Sequence, residues 1–476
     1  MPLLLGYNYP AQKQKRRTSQ MHCNTKFFDS QAEKTIGSRI DHFFHSYCVG
    51  SLLNQAGIRK LGFGALFLFK ELFHLIFMGK SIYVSLIRNR EAGCEKSTIY
   101  RFLNTPTFNW RNFLFRLTQK VISQFFLPLT SEDREKVLII DDSPYERDRS
   151  KKVELLSWIF DHNRRIMKRG FRLLTLGWSD GASFLPVDFG LLASAKKEKQ
   201  LQEVNPAIDK RSCGGHRRRE AVQKATDMAV AMVKRALSRG LRADYVLFDS
   251  WFSFPSVIDQ IADLGIHVVC HLKPMPRVIY FYNGEWLTLK QLYRKVRKRR
   301  GKARILASVK VSLKSGREVK IVFVRHRQTK GWIALLSTQC NLHDDEVARI
   351  YGKRWDIEVF FKICKSFLAL AKEIQMRSYD ALIAHTTLVM VRYIFLSVEH
   401  RGQNDDRTIG LLFHACCEEI VDLNYLEAMK RILSVLADKL KKISCLTEEI
   451  IKELIDSIME SLNYLFLPAV RCGCES

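Results

Sequence analysis

Carboxylates stand at the ends of two predicted strands. The run KVLIIDDS ends in Asp141 and Asp142, and the run ADYVLFDS ends in Asp249. Both runs are short and apolar, which is typical of buried strands. Carboxylates brought together from separate elements are the ligands that Mg²⁺ and Mn²⁺ prefer. Two such ions about 3.5 to 4 Å apart support phosphoryl transfer.

The choice between Asp141 and Asp142 stays open at this level. Side chains alternate between the two faces of a strand, but both rows of residues behind these acids are apolar. An acid after a single strand is more often a helix cap or a loop residue. Two acids on neighbouring strands of a mixed sheet are more informative, because ligands gather at strand ends in such sheets.

A third acid lies on one face of a predicted helix. At about 100° per residue, the side chains of one stripe about 60° wide are Tyr351, Arg354, Glu358 and Lys365. Asp356 points away, so Glu358 is the only acid on this face. The alternative is an ordinary surface ion pair between Arg354 and Glu358, worth a few tenths of a kcal/mol.

The order of elements predicts an α/β fold with a ribonuclease H-like mixed-sheet core. After Glu135 come a strand, a hairpin at Asp180–Gly181, a helix, a strand, a helix and a third strand. The segments are a flexible basic arm (1–30), an N-terminal helical DNA-binding domain (31–133), the first part of the core (134–272), a β-rich insertion (273–342), the catalytic helix of the core (343–372) and C-terminal helices (373–476). Within the N-terminal domain, EKSTIYRFLN is either the second helix of a helix-turn-helix, capped by Ser97, or an ordinary bundle helix.

The charge of the chain favours nucleic acid as its partner. The 476 residues carry a formal net charge of +28, with 77 Lys and Arg against 49 acids. A surplus of this size binds polyanions, since each neutralised phosphate releases counterions. An anionic membrane or ribosome surface is the alternative. Phosphate contacts are expected at four basic runs, 147–152, 164–172, 217–219 and 294–304, and the alternative for each run is a solvated surface.

Cysteine usage and hydropathy predict a cytoplasmic protein. The 12 cysteines form no pattern typical of a zinc site or a disulfide framework. No signal peptide is predicted, and the most apolar stretches, 61–86 and 381–398, are interrupted by charged residues or His. No membrane partner is therefore expected.

The spacing of Tyr351, Arg354, Glu358 and Lys365 resembles the YREK signature of the IS-four family of bacterial insertion-sequence transposases. The resemblance covers about 135–370 and includes IIDDS, YVLFDSWF and GWIALLST in the family's order. It implies a DDE triad on a ribonuclease H-like fold, with a β insertion between the second Asp and the Glu. Family motifs place Ser or Thr after the first catalytic acid, which favours Asp142 over Asp141.

The resemblance also implies roles for the site residues. Asp142, Asp249 and Glu358 are the expected catalytic acids and ligands of two Mg²⁺ ions, which Mn²⁺ can replace. Tyr351, Arg354 and Lys365 are expected to contact the DNA backbone. Trp332 is expected to stack on a flipped base; its alternative is a tryptophan that packs the β insertion.

The resulting expectation is a transposase that cuts and rejoins DNA. Two subunits would pair terminal inverted repeats, cleave through a hairpin intermediate and join the ends to target DNA, in a bacterial cytoplasm at the nucleoid. One alternative is a ribonuclease H-like nuclease without strand transfer. The other is a catalytically inactive, transposase-derived DNA-binding regulator.

Overall fold

The computed structural model describes residues 36–59, 62–80, 95–161, 164–299, 303–326, 331–402 and 407–419, with short helical stretches between 429 and 458. The predicted basic arm and most of the chain after 419 lie outside these residues. Of the predicted helix-turn-helix, the segment 81–94 also lies outside them.

The described part of the N-terminal region contains five α-helices. They are α1 (Ile36–Ser46), α2 (Val49–Gln55), α3 (Ala65–His74), α4 (Lys96–Asn104) and α5 (Trp110–Val121). Aromatic side chains fill the space between them: Phe69 of α3 contacts Trp110 and Phe113 of α5 at ring centroid distances of 6.2 and 5.3 Å. The expected cap Ser97 lies inside α4, whose N-cap is Glu95.

The core sheet contains six strands in the described residues. They are β1 (Val137–Glu146), β2 (Ser157–Asp161), β3 (Ile166–Ser179), β4 (Phe184–Leu192), β5 (Tyr245–Phe248) and β6 (His267–Leu272). The antiparallel strand β3 lies on one side of β1, and the parallel strands β5 and β6 lie on the other. The predicted hairpin joins β3 to β4, with Gly181 at a φ of 83° in its turn. This mixed α/β arrangement is compatible with a ribonuclease H-like fold.

The β-rich insertion extends the core sheet. It contains β7 (Ile279–Tyr282), β8 (Glu285–Thr288), α9 (Leu289–Lys295), β9 (Ile305–Ser312), β10 (Glu318–Arg325) and β11 (Trp332–Ser337). The last strand, β11, pairs antiparallel with β6, so the insertion and the core form one eleven-stranded sheet in the described part of the chain. Its geometry relative to the core is therefore fixed by backbone hydrogen bonds.

Helices cover the sheet and complete the core. They are α6 (Cys213–Ala221), α7 (Ala225–Ser238), α8 (Pro255–Ala262), α10 (Asp344–Gly352), α11 (Trp355–Ser366) and α12 (Tyr379–Gly402). The predicted single helix through 343–372 is wrong, because a turn at Lys353 and Arg354 divides it into α10 and α11. Both turn residues keep helical backbone angles, so the spacing of Arg354 and Glu358 along α11 is preserved.

Helix α12 lies in the interior. Its length and hydropathy would suffice to cross a membrane, but 94% of its most apolar window is buried inside the protein. Arg392 of α12 is fully buried; it donates to Glu373 at 2.6 Å and to a backbone carbonyl of α3. His385 lies 3.0 Å from the same carboxylate. Although burial opposes ionisation, Arg392 and His385 lower the pKa of Glu373 to about 2.

Candidate active site

Asp141 and Asp142 point to opposite faces of β1. Asp142 lies diagonally opposite Arg172 on β3, whose guanidinium donates two hydrogen bonds to its carboxylate, both at 2.6 Å. Asp141 accepts a hydrogen bond at 3.1 Å from Arg354, at the start of α11. Because neighbouring residues of a strand alternate between faces, only one of the two acids can face α11. That acid is Asp141.

Three strands place Asp141, Asp249 and His271 side by side. In the parallel register, Ile140 pairs with Phe248 and Phe248 pairs with Cys270. The residues that follow these partners are Asp141, Asp249 and His271. The imidazole Nδ1 of His271 lies 3.4 Å from the Asp249 carboxylate. A row of polar groups therefore crosses the sheet, with Asp141 in the middle of β1, Asp249 directly after β5 and His271 near the end of β6.

Arg354 lies among the acids of this face. Its guanidinium bonds to Glu358 one turn along α11 as well as to Asp141. Asp249 is near enough to act on it electrostatically. Burial alone would lower the pKa of Arg354, but the Tyr351 hydroxyl and the carboxylates of Asp141, Glu358 and Asp249 raise it. Three carboxylates thus converge on one guanidinium.

The two strand-end acids have opposite pKa shifts. Burial raises the pKa of Asp141 to about 7, and the charges of Asp142 and Asp249 act in the same direction against the pull of Arg354. For Asp249, burial is outweighed by the hydrogen bond to His271, the charge of Arg354 and the Ser250 N–H, and the pKa falls to about 2. Perturbed neighbouring carboxyl groups are characteristic of functional sites.

The donor set suits a hard divalent cation. Asp141, Asp249 and Glu358 offer oxygen ligands of the kind that Mg²⁺ and Mn²⁺ bind. With Arg354 between them, no three His, Cys, Asp or Glu side chains in the described residues are arranged to enclose an ion. Three carboxylates carry more negative charge than the single guanidinium of Arg354 offsets, so a divalent cation among them would reduce their mutual repulsion. The chemistry of the residues therefore fits a divalent metal ion.

Tyr351 and Lys365 flank this centre. Tyr351 is buried, and the guanidinium carbon of Arg354 lies 5.9 Å from its ring centroid. Lys365, in the last turn of α11, donates to the Ser143 hydroxyl at 2.6 Å. Burial lowers the pKa of Lys365. Ser143 shares the face of Asp141 on β1, so Lys365 lies on the same side of the sheet as the converging acids.

The comparison with known families agrees with this arrangement. The model of the DDE superfamily endonucleases matches residues 73–328, more than half of the chain. The chain belongs to this family. The matched residues include Asp141, Asp142 and Asp249, and they end before Glu358. No curated protein matches the sequence. A DDE endonuclease is a nuclease-type enzyme with DNA as its expected substrate and divalent metal ions as its usual cofactor.

Trp332 of this DDE endonuclease packs within the β insertion. Its ring stacks on Tyr293 of α9 at 4.7 Å with an angle of 28° between the planes. Phe323 of β10 meets it edge-on at 5.2 Å. The side chain remains partly exposed. These contacts match the alternative that the sequence left open, a tryptophan that holds the insertion together.

Two of the predicted basic runs are partly structural. Arg217 and Arg218 of α6 are buried and pair with Asp380 of α12 at 2.7 and 2.8 Å. Arg147 is also buried, and it donates to the backbone carbonyls of residues 371 and 374. The expectation that these three side chains contact phosphates is wrong, because the protein interior already engages them. Arg164 and Arg165, between β2 and β3, are exposed.

Sequence reasoning missed His271 as a residue of the candidate site, and it placed Arg172 only in the basic run 164–172. His271 was passed over inside an apolar run, although its place at the end of a third parallel strand was a usable signal. Arg172 lies in the middle of a long strand, and its pairing with Asp142 depends on the register between β1 and β3. No pattern in the sequence gives that register.

Proposed function

We propose that this DDE endonuclease is a DNA transposase whose metal-binding acids are Asp141, Asp249 and Glu358. The observation that carries the proposal is the convergence of these three carboxylates on Arg354. The spacing of Tyr351, Arg354, Glu358 and Lys365, which resembles the YREK signature, supports an IS-four-type transposase over a simple nuclease. The proposal replaces Asp142 by Asp141, since both oxygens of Asp142 are engaged by Arg172 on the other face.

The bound Mg²⁺ ions, two in this proposal, would supply an activated oxygen nucleophile and neutralise charge on the leaving oxygen. Asp141, Asp249 and Glu358 would hold them. The pKa of about 7 at Asp141 means that this carboxyl must lose a proton before it can serve as a ligand. His271 orients the Asp249 carboxylate through its Nδ1 contact.

Arg354 and Lys365 would position the DNA backbone. Arg354 already lies at the acids, and a guanidinium is well suited to bidentate contact with a phosphate. Lys365 lies on the same face of the sheet, at Ser143. In this proposal Tyr351 supports the guanidinium and does not make the backbone contact expected from the sequence, because its side chain is buried against Arg354. Together they would fix the scissile phosphate over the carboxylates.

The proposed reaction cycle has two subunits at paired transposon ends. Hydrolysis of one strand frees a 3′-hydroxyl. In the proposed next step this hydroxyl attacks the phosphodiester of the opposite strand, which closes a hairpin and releases the flanking DNA with its own 3′-hydroxyl. Reopening of the hairpin and attack on target DNA then complete cut-and-paste transposition. Recognition of the terminal inverted repeats is assigned to the N-terminal helices, with the insertion contributing, and Trp332 remains a proposed DNA contact of that insertion.

The test is a cleavage and joining assay with the element's own ends and Mg²⁺, in which a denaturing gel separates nicked, hairpin and joined products. Asp249→Ala should abolish all products while end binding stays nearly intact, because positive charge supplies most of the affinity. Asp141→Asn should do the same. Asp142→Asn should keep its turnover at saturating DNA.

Each alternative outcome has a distinct meaning. Nicks without joined products would make the chain a nuclease. Binding without any cleavage by the wild-type chain would favour the DNA-binding regulator. Loss of turnover in Asp142→Asn, with activity retained in Asp141→Asn, would overturn the assignment of the first acid.

A further inference from the structure

A large aromatic side chain is exposed two residues after Asp249. The indole of Trp251 is 44% exposed, although its neighbours Phe252 and Ser253 are buried. The chain turns here, with the Phe252 N–H bonded to the Asp249 carbonyl at 3.0 Å. The Ser253 hydroxyl donates to the Ser250 carbonyl at 2.9 Å. Trp251 is therefore held at the surface by a turn that is pinned on both sides.

Arg172 and Asp142 fix the position of this indole. The guanidinium carbon of Arg172 lies 5.2 Å from the Trp251 ring centroid, within the range of a cation–π contact. The same guanidinium is held by the two hydrogen bonds to Asp142. Asp142 thus holds the Arg172 guanidinium in place, and that guanidinium in turn holds the Trp251 indole.

This assembly adjoins the catalytic carboxylates. Asp142 is the chain neighbour of Asp141, and Trp251 follows Asp249 by two residues. Asp141, in the middle of β1, faces Arg354 on one side of the sheet, and Asp142 with Arg172 lies on the other. Because two residues of chain span at most about 7 Å, the Trp251 backbone lies within that distance of the Asp249 backbone.

We propose that Trp251 and Arg172 form a binding subsite for an unpaired nucleotide next to the cleavage site. The indole stacks on the base, and the guanidinium, partly exposed, contacts its phosphate. A base inside a duplex already stacks on both neighbours, so the subsite selects single-stranded DNA or a frayed end. The inference rests on DNA as the substrate, and it does not require the transposition cycle proposed above.

The first experiment compares the dissociation constants of two unlabelled DNA ligands in EDTA, a ten-nucleotide oligo-dT and a blunt duplex. Trp251→Ala should raise the Kd for oligo-dT about tenfold, which is within the range of stacking one base on an aromatic ring. Its Kd for the duplex should change less than twofold. Trp251→Phe should recover most of the affinity, because a ring remains. Since no metal is present, the result is independent of cleavage.

Trp286→Ala is the matched control. This tryptophan is 47% exposed on β8, at the far edge of the sheet, so its loss should leave oligo-dT binding unchanged. Equal losses with oligo-dT and duplex in Trp251→Ala would mean a general effect on DNA binding and would overturn the proposal. So would equal losses in Trp286→Ala.

A second measurement keeps the test valid if Trp251→Ala folds poorly. A duplex with a 3′ overhang that carries one 2-aminopurine changes fluorescence when that base stacks. Wild-type protein should quench the probe, and Trp251→Leu and Arg172→Lys should each reduce the quenching. Unchanged quenching in Trp251→Leu, with the variant's circular dichroism like that of wild type, would refute the subsite. Loss of cleavage activity alone would instead bear on the metal-binding acids.

Discussion

Replacing Asp141 by Asn should stabilise the metal-free protein at alkaline pH. Asparagine has nearly the shape of a protonated aspartic acid, and it removes one of three carboxylates that share Arg354. Two acids still balance the guanidinium. The usual penalty for breaking a buried ion pair, a charge left without a partner, therefore does not apply here.

The pKa of Asp141 sets the size and the pH range of the effect. Its folded value is about 7, against about 3.9 in an unfolded chain. Below about pH 4 the carboxyl is protonated in both the folded and the unfolded state, so its ionisation does not change the free energy of unfolding. Between about pH 4 and pH 7 only the unfolded state ionises, so the folded state loses stability, and above the folded pKa the loss is complete. Three pKa units correspond to about 4 kcal/mol, taken as an upper limit.

Urea denaturation in EDTA at several pH values measures this difference. The free energy of unfolding of Asp141→Asn should exceed that of wild type, and this difference should grow by roughly 2.5 kcal/mol at most from about pH 5 to pH 8. The growth is seen as an increasing shift of the urea midpoint. Mg²⁺ should stabilise wild type but not the variant, since only the former keeps the ligand. An advantage that stays constant or shrinks as the pH rises would refute the raised pKa.

Asp142→Asn is the matched control for this prediction. The substitution is chemically identical and one residue away, but Asp142 lies on the other face with Arg172 as its partner. Its loss leaves that guanidinium without its bidentate acceptor. The midpoint should fall slightly and should not rise relative to wild type between pH 5 and pH 8.

Three further substitutions test other parts of the structure. Glu373→Gln should lower the free energy of unfolding by about 3–5 kcal/mol in urea titrations, because the fully buried Arg392 loses its counter-charge. Trp332→Ala should lower the thermal midpoint, since Tyr293 and Phe323 lose their packing partner; an unchanged midpoint would show that this aromatic cluster does not stabilise the insertion. Arg165→Ala should reduce the slope of log Kd against log salt by about one in binding titrations, and an unchanged slope would exclude this exposed residue from the DNA interface.

Much of the core could be predicted because its signals are local. The apolar runs before Asp142 and Asp249 form β1 and β5, and Asp180–Gly181 turns the chain between β3 and β4. The Arg354–Glu358 contact also followed from spacing, because residues four apart meet on any helix. Hydrophobic periodicity and turn chemistry act over a few residues, so one sequence is enough to detect them.

Features that depend on distant partners could not be predicted. Arg217 and Arg218 have the composition of a phosphate-binding run, and only the position of Asp380, more than a hundred and fifty residues later, places them in ion pairs. The break between α10 and α11 follows Gly352, a residue type that often ends helices, but a single glycine inside a helical pattern does not fix a break. Its position is set by packing, with Lys353 bonded to Glu135 ahead of β1 at 3.0 Å.

The choice between Asp141 and Asp142 combines both kinds of information. Alternation along β1 guarantees that the two carboxylates point to opposite faces, but it does not say which face meets α11. Register then decides, since a shift of one residue would exchange every side chain between the faces. The adjacent acids are thus not redundant: Asp141 faces α11 and bonds to Arg354, and Asp142 holds Arg172 on the side of Trp251. Neither can substitute for the other, because a carboxylate on the wrong face is separated from its partners by the strand itself.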